Sequence, residues 1–277
     1  MPYGYTSYME REGYSTETIT SYVKTVRAFF KYIDMKYEKN KEVYEITPKD
    51  IKTFIDSCLN EGHSKLTCNK HLSILKSFFD YLWQKDKVAS DPTVKIKRLV
   101  VEENKKTEIT YQQLLDIFPD ILSNPSYSSL RKAIYVLTLK GLRHSEFQFK
   151  KDSVIDMGDS ITIKLKKHEI NLTDDAAEAF LNYYFESQFN GTPYVFITKK
   201  HDSTSVPIEI MSLYAHINAI SNDYGLSTKL NLNMIRHAYA YYLYKQKRYT
   251  IESISTILGI KPASAAQLVK ISMDRYQ

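Results

Sequence analysis

Two arginine-containing segments in the second half of the chain carry the residue types best suited to chemistry. They are Gly141–Glu146 (GLRHSE) and Asn233–His237 (NMIRH). Beside each, an apolar pattern predicts a helix that would hold the guanidinium of Arg143 or Arg236 buried and fixed in direction. A planar guanidinium donates hydrogen bonds in pairs, so two converging arginines can bind both non-bridging oxygens of one phosphate. The two segments therefore predict a phosphate-binding site.

The composition of the 277 residues is that of a globular protein with one large or two modest domains. A net charge of +6 is a mild basic excess, compatible with a nucleic-acid partner. Only two cysteines occur, Cys58 and Cys68, so a disulfide framework is ruled out. Without a CxxC pair or clustered histidines, no structural zinc is expected. No apolar stretch is long enough to span a membrane, which favours a soluble, intracellular protein.

The first ninety residues have the apolar periodicity of a small helical bundle. A capping signal at Ser15–Thr18 precedes one helix, and Thr47-Pro48 starts a second that Gly62 ends. A third helix is predicted from about Lys65 to Gln84. We predict a helical domain over residues 1–94, a linker rich in lysine and glutamate over 95–107, and a second domain over 108–277.

The second domain has helical patterns with one exception between its two arginines. Residues 160–165 alternate like a strand, and residues 169–172 could return as its partner. Between them, Lys166-Lys167-His168 would form a tight basic turn. Helices are predicted at 128–139, at 176–186 and through most of 209–277. The expected fold class is mainly α with a small β-hairpin or sheet.

These segments resemble the tyrosine recombinase (phage integrase) family, whose members cut and rejoin DNA through a phosphotyrosine intermediate. "ITPKDIKTFIDSCLNEG" and "TCNKHLSILKSFFDYLWQKDKVASDPT" are similar to its core-binding domain. "VLTLKGLRHSEF" and "MIRHAYAYYLYKQKRYTIESISTILGI" are similar to its catalytic domain. The resemblance implies two domains that clamp duplex DNA, with most contacts on phosphates. The third helix of the bundle and the helices around 212–221 would then read the grooves.

The resemblance also implies roles for individual residues. Arg143 and Arg236 would hold the scissile phosphate and stabilise charge in the transition state, with Glu146 as a supporting carboxylate. By itself, Arg143 could instead be an ordinary arginine paired with Glu146. A hairpin lysine would protonate the departing oxygen. Lys166 is our assignment for it, with Lys164 and Lys167 as alternatives.

Two residues depart from the family pattern. Asn233 stands where the family has a histidine three residues before the second arginine. An amide can donate a hydrogen bond, but it cannot take up and release a proton. Ile260 follows Leu-Gly where the family has His or Trp, and it can do neither. His237 is next to Arg236 in sequence and should point to another face of the helix, so we interpret it as structural.

The nucleophile is the largest departure. The pattern after Ile260 places Val269 at the position of the family's tyrosine, with Leu268 next best, and neither can attack phosphorus. Tyr276 is the only tyrosine downstream. If one helix runs from Pro262 to the chain end, Tyr276 lies two turns beyond Val269 on the same face, ~10 Å out of place. The chain end could bend, or it could deliver Tyr276 to a neighbouring subunit on the DNA. Alternatively, Tyr276 has no catalytic role.

The sequence thus favours a DNA-binding protein of this family that has weakened or lost strand cleavage and acts on mobile-element or plasmid DNA. The alternative is an active site-specific recombinase or integrase with Tyr276 as nucleophile and Asn233 as a weaker donor. A helical protein–protein scaffold is a more distant possibility. Double-stranded DNA is the expected partner, with possible self-association on it. No cofactor, metal ion, membrane or small-molecule substrate is expected.

Overall fold

The computed structural model describes residues 4–38, 41–101 and 109–276. Its internal contacts divide the chain into two compact units, Met1–Asn104 and Lys105–Gln277. The predicted linker falls partly on residues 102–108, which lie outside the described residues. The predicted domain limits at 94 and 108 stay predictions.

The N-terminal unit is a bundle of helices whose first turns are set by short polar caps. The hydroxyls of Ser15 and Ser64 each accept the backbone N–H three residues on, so they satisfy donors that the first turn leaves open. Gly62 follows the third helix with a φ of +87°, in the left-handed region. The helices are α1 (Tyr5–Arg11), α2 (Thr16–Lys36), α3 (Pro48–Asn60) and α4 (Lys65–Gln84).

The core of this unit is aromatic. Phe29 of α2 meets Phe54 of α3 edge to face, with ring centroids 5.3 Å apart, and meets Phe79 of α4 at 6.0 Å. Phe78 and Phe79 are fully buried and contact each other at 5.3 Å. Edge-to-face pairs of this kind add to the stability gained from burying the rings, so α2, α3 and α4 are held around one centre.

One carboxylate is buried in the same unit. Asp50, 1% exposed, accepts hydrogen bonds from Tyr37 Oη at 2.5 Å, Lys41 Nζ at 2.6 Å, and Thr47 N and Oγ1 at 2.9 and 2.7 Å. Burial alone would raise the pKa of Asp50, but the hydrogen bonds from Lys41, Tyr37 and Thr47 outweigh it and hold this pKa well below its usual value. The ionised side chain joins the start of α3 to the segment before it.

We expect Asp50→Asn to lower the free energy of unfolding of the N-terminal unit by about 2 kcal/mol at pH 7. Because folding lowers the pKa of Asp50, the carboxylate contributes stability above pH ~4, and the difference from the variant should vanish as the pH falls. Urea unfolding followed by fluorescence of the single tryptophan, Trp83 of α4, measures it. Asp56→Asn, at an exposed position of α3, is the matched control. Equal effects of the two substitutions at pH 7 would refute this role.

The C-terminal unit is built around α7 (Ser129–Leu139), whose residues 133–139 are all buried. It packs against other helices of the same unit. The remaining helices of the unit are α5 (Tyr111–Asp116), α6 (Phe118–Ser123), α8 (Asp174–Ser187), α9 (Ile210–Asp223), α10 (Leu232–Tyr241), α11 (Ile251–Ile257) and α12 (Pro262–Tyr276). A π-helical turn, Tyr242–Gln246, continues α10.

Two small antiparallel sheets lie in the described part of this unit. The first has the order β1-β2-β3, with β1 (Val154–Asp156), β2 (Ser160–Lys164) and β3 (Glu169–Thr173). In the register of β2 and β3, Ile161 pairs with Leu172 and Ile163 with Ile170, and all four side chains are buried. The second sheet pairs β4 (Ile197–Lys199) with β5 (Ser205–Pro207). The predicted hairpin therefore exists, whereas the sequence pattern did not predict β1, β4 and β5.

The mainly helical fold with small antiparallel sheets confirms the predicted fold class. Within the three described ranges, we find no helix with the length and hydropathy that crossing a membrane requires.

Candidate phosphate-binding site

The second predicted arginine is buried at the centre of the C-terminal unit. Arg236 of α10 is 4% exposed and donates from Nη1 to Gly141 O and from Nη2 to Leu258 O, the latter at 2.9 Å. Its Nη1 lies 3.5 Å from Glu146 Oε2. Burial and the charge of Arg143 lower the pKa of Arg236 to about 10 against the opposing effect of Glu146, so the guanidinium remains protonated at neutral pH.

The first predicted arginine is placed differently from our expectation. Gly141, with a φ of +74°, follows the end of α7 and turns the chain. Arg143 then has an extended backbone, with φ −86° and ψ 161°, and its side chain is exposed. The prediction of a buried guanidinium was wrong for Arg143, because the apolar helix ends before it. An exposed guanidinium is open to a ligand from solvent.

Glu146 joins the two arginines. Its Oε2 accepts the backbone N–H of Arg143 at 2.7 Å and also faces Nη1 of Arg236. Among the ion pairs found in the described ranges, the partner of Glu146 is Arg236 and not the side chain of Arg143. The carboxylate thus fixes the backbone direction at Arg143 and leaves its guanidinium for another partner.

The β2–β3 hairpin brings lysines to Arg143. Leu165 N donates to His168 O at 2.9 Å, so Lys166 and Lys167 form the two-residue tip of the turn, and both are exposed. A cavity of about 410 Å³ opens between the hairpin and the segment after α7. Its lining includes Arg143, Glu146, Lys164, Lys166, Lys167 and His168. The predicted lysine and both of its alternatives therefore share one cavity with Arg143.

Sequence reasoning assigned His168 only to the turn, but the structure places it inside the site. An ideal Cβ built on Gly259 would lie 2.2 Å from His168 Nδ1, so the imidazole rests directly on the backbone of Gly259. Burial lowers the pKa of His168, as do the charges of Arg236 and Arg143, while Glu146 opposes them. The position of this histidine beside two lysines of the turn could have indicated a role in the site. Nothing in the neighbouring sequence indicated its contact with Gly259.

The positions of the two altered residues are also defined. Asn233 is exposed in the first turn of α10, one helical turn before Arg236. Ile260 is half-buried and packs against the apolar cluster that includes Leu258 and Val269. Neither side chain can bring a proton to the site.

The remaining histidine of the second segment faces α12. His237 is buried, and its Nδ1 lies 2.9 Å from Ser272 Oγ. Burial, with the charges of Arg275 and Arg236, lowers the pKa of His237 to about 4, so the ring is neutral at physiological pH. This geometry agrees with a structural role in holding α12 against α10.

The two residues considered for the nucleophile both lie on α12. Val269 is 4% exposed and packs with Leu243, Ile254 and Leu258. Tyr276, in the last turn, contacts the ring of Tyr241 in a tilted arrangement, with ring centroids 5.2 Å apart. Its hydroxyl donates to Ile109 O at 3.2 Å. The structure therefore places Tyr276 against α10 and the segment before α5, and no described contact joins it to Arg143 or to the hairpin.

Comparison with known families agrees with this arrangement. Residues 4–86 match the N-terminal SAM-like domain of phage integrases, and residues 106–267, more than half of the chain, match the phage integrase family. The chain belongs to the tyrosine recombinase (phage integrase) family. The predicted family membership and its two-part architecture, a helical domain followed by a catalytic domain, are thereby confirmed.

Individual tyrosine recombinases are similar over most of this chain. Tyrosine recombinase XerC of Bacillus pumilus is 19% identical over 270 residues, which cover 93% of this chain and 86% of the relative. XerC of Pediococcus pentosaceus is 23% identical, over 94% and 88%. The XerH site-specific recombinase in a post-cleavage complex with difH has a TM-score of 0.69 at 18% identity, over 95% and 80%. A lambda integrase dimer bound to a core site gives 0.67 at 15%, over 95% and 92%.

Arg236 and Arg143 should contribute differently to the stability of the C-terminal unit. We expect Arg236→Ala to lower the free energy of unfolding of the C-terminal unit by about 3 kcal/mol, because Glu146, Gly141 O and Leu258 O all lose a partner. Arg143→Ala should change it by no more than about 0.5 kcal/mol, because that side chain is exposed. Urea unfolding followed by circular dichroism measures both. Equal losses of stability would contradict the assignment of Arg236 as the structural member of the pair.

Proposed function

We propose that this protein binds duplex DNA through a backbone phosphate held at Arg143 and has lost strand cleavage. The observation that carries the proposal is a contrast within the C-terminal unit. A cationic cavity is present, while Val269, which the resemblance aligns with the family's nucleophile, is buried among apolar side chains. We propose that the protein acts as a DNA-binding member of the family in mobile-element or plasmid DNA transactions.

Charge and exposure support phosphate as the ligand. Arg143, Lys164, Lys166 and Lys167 line the cavity and are exposed, against the single carboxylate of Glu146, which is already engaged by Arg236. Such an excess of positive charge attracts polyanions, and each neutralised phosphate releases counterions. The hydrogen bond from Arg143 N to Glu146 holds the backbone that carries this guanidinium to the cavity, and its planar fork suits a phosphate.

The relatives support the same partner. The similar solved structures named above are complexes of a recombinase or integrase with its DNA site. The lambda integrase structure contains a dimer on its core site. We therefore include double-stranded DNA, and more than one copy of this chain on it, in the proposal.

Loss of cleavage is supported by the surroundings of α12. A nucleophile must reach phosphorus, and Val269 has neither a reactive atom nor an exposed side chain. Tyr276 would have to leave both the ring of Tyr241 and the carbonyl of Ile109 before it could approach a phosphate. The rival function, an active recombinase that uses Tyr276, requires that rearrangement.

Removal of the exposed arginine should weaken DNA binding. We expect Arg143→Ala to raise the dissociation constant for a short mixed-sequence duplex about tenfold and to reduce the salt slope by about 1, because one phosphate contact is lost. Fluorescence anisotropy over a salt series gives both values. Lys199→Ala, at an exposed lysine of β4 outside the cavity, is the control. Unchanged affinity and slope for Arg143→Ala would reject the phosphate site.

Covalent attachment distinguishes the two functions. On nicked duplexes taken from DNA that flanks the gene, we expect native binding but no protein–DNA species that survives SDS, because Val269 has no reactive atom and Tyr276 is held against Tyr241 and Ile109. The gel would include Tyr276→Phe and, as a matched control, Tyr244→Phe, an exposed tyrosine elsewhere in the unit. An adduct that disappears only in Tyr276→Phe would overturn the proposed loss of cleavage and establish the active recombinase.

A further inference from the structure

His168 separates two cavities of the C-terminal unit. On one side is the cavity that contains Arg143 and the hairpin lysines. On the other is a cavity of about 730 Å³ whose lining includes Gly259, Ile260 and Lys261. The imidazole is therefore a wall of the proposed phosphate site and not a solvated side chain at the tip of a turn.

The position of the ring is fixed by Gly259. Its φ of +59° is in the left-handed region, and any Cβ there would overlap the imidazole. The His168 Nδ1 atom is buried and has no hydrogen-bond partner among the residues that the structure describes. A buried polar nitrogen without a partner is costly. The fold thus holds an imidazole with one unpaired nitrogen, Nδ1, against Gly259, and the same side chain lines the cavity of Arg143.

The charges around this ring are mostly positive. Arg143 and Arg236 face it from the segment after α7 and from α10, with Glu146 opposing them. Its own hairpin adds Lys164, Lys166, Lys167 and Glu169, and the segment before α12 adds Lys261. Burial and these positive charges lower the pKa of His168 and disfavour the protonated ring in the free protein. A bound phosphate would place a negative charge beside it and favour protonation.

We propose that His168 binds the same DNA phosphate as Arg143 and takes up one proton from solvent when the DNA binds. The inference rests on the proposed function. It gives the site a titratable ligand that Asn233 and Ile260 cannot supply. The proton adds a positive charge to the site only in the complex, so DNA affinity becomes dependent on pH.

The sign of this dependence follows from linkage. The pKa of His168 is lowered in the free protein, and the phosphate raises it in the complex. Between the two values the complex binds more protons than the free protein, so affinity increases as the pH falls. Above the raised pKa and below the lowered one, this contribution to the slope disappears.

The test is the dissociation constant for one mixed-sequence duplex, measured at constant salt from pH ~8 to ~5.5. The wild-type protein is compared with two variants. His168→Gln keeps a hydrogen-bonding side chain that does not titrate, and His168→Arg carries a permanent charge. His201→Gln, an exposed histidine in the β4–β5 turn, is the matched control for the other titrating groups. Thermal unfolding of each variant is recorded beside it.

We expect the wild type and His201→Gln to bind up to about tenfold tighter per pH unit through the window. His168→Gln should lose that slope and bind weakly throughout, while His168→Arg should lose the slope and stay tight. A wild-type slope in a folded His168→Gln or His168→Arg protein would overturn the inference. If the His168 variants keep the wild-type pH slope but Arg143→Ala still weakens binding, the proposed function stands. Unchanged binding by Arg143→Ala would instead remove the phosphate site itself.

Discussion

The site in the C-terminal unit depends on the contacts that the buried guanidinium of Arg236 makes. It ties the carbonyl after α7 and the carbonyl after α11 to α10, and it holds Glu146 beside Arg143. A charge at this depth is stable only because these partners surround it. The same contacts orient the segment that presents Arg143 to solvent. Two arginines that look equivalent in sequence thus differ in the structure: Arg236 is buried among partners, and Arg143 is open to the ligand that we propose.

The second constraint is the close approach of the hairpin to the segment after α11. Gly259 is needed there because its φ and its missing Cβ let His168 rest on the backbone. The hairpin in turn carries Lys164, Lys166 and Lys167 to the cavity of Arg143. Residues from four separate segments of the unit therefore converge on one small cationic region. Val269, by contrast, belongs to a separate cluster of apolar side chains.

Local sequence patterns were enough for much of this description. The caps and periodicity predicted α4 from Lys65 to Gln84, and alternation predicted the β2–β3 pairing, because those signals come from neighbouring residues. Three-residue strands such as β1 and β4 are too short to show a pattern. The exposure of Arg143, the contact of His168 with Gly259 and the docking of Tyr276 on Tyr241 are tertiary facts between segments distant in sequence. Periodicity contains no information about them.

A crystal structure of the chain on an intact duplex would show whether a phosphate is bound at Arg143 without strand cleavage. We expect one backbone phosphate within hydrogen-bonding distance of the Arg143 guanidinium and the His168 imidazole, with the strand unbroken and Tyr276 still against Tyr241. A phosphate bonded covalently to Tyr276, or a duplex whose phosphates avoid Arg143, would contradict it.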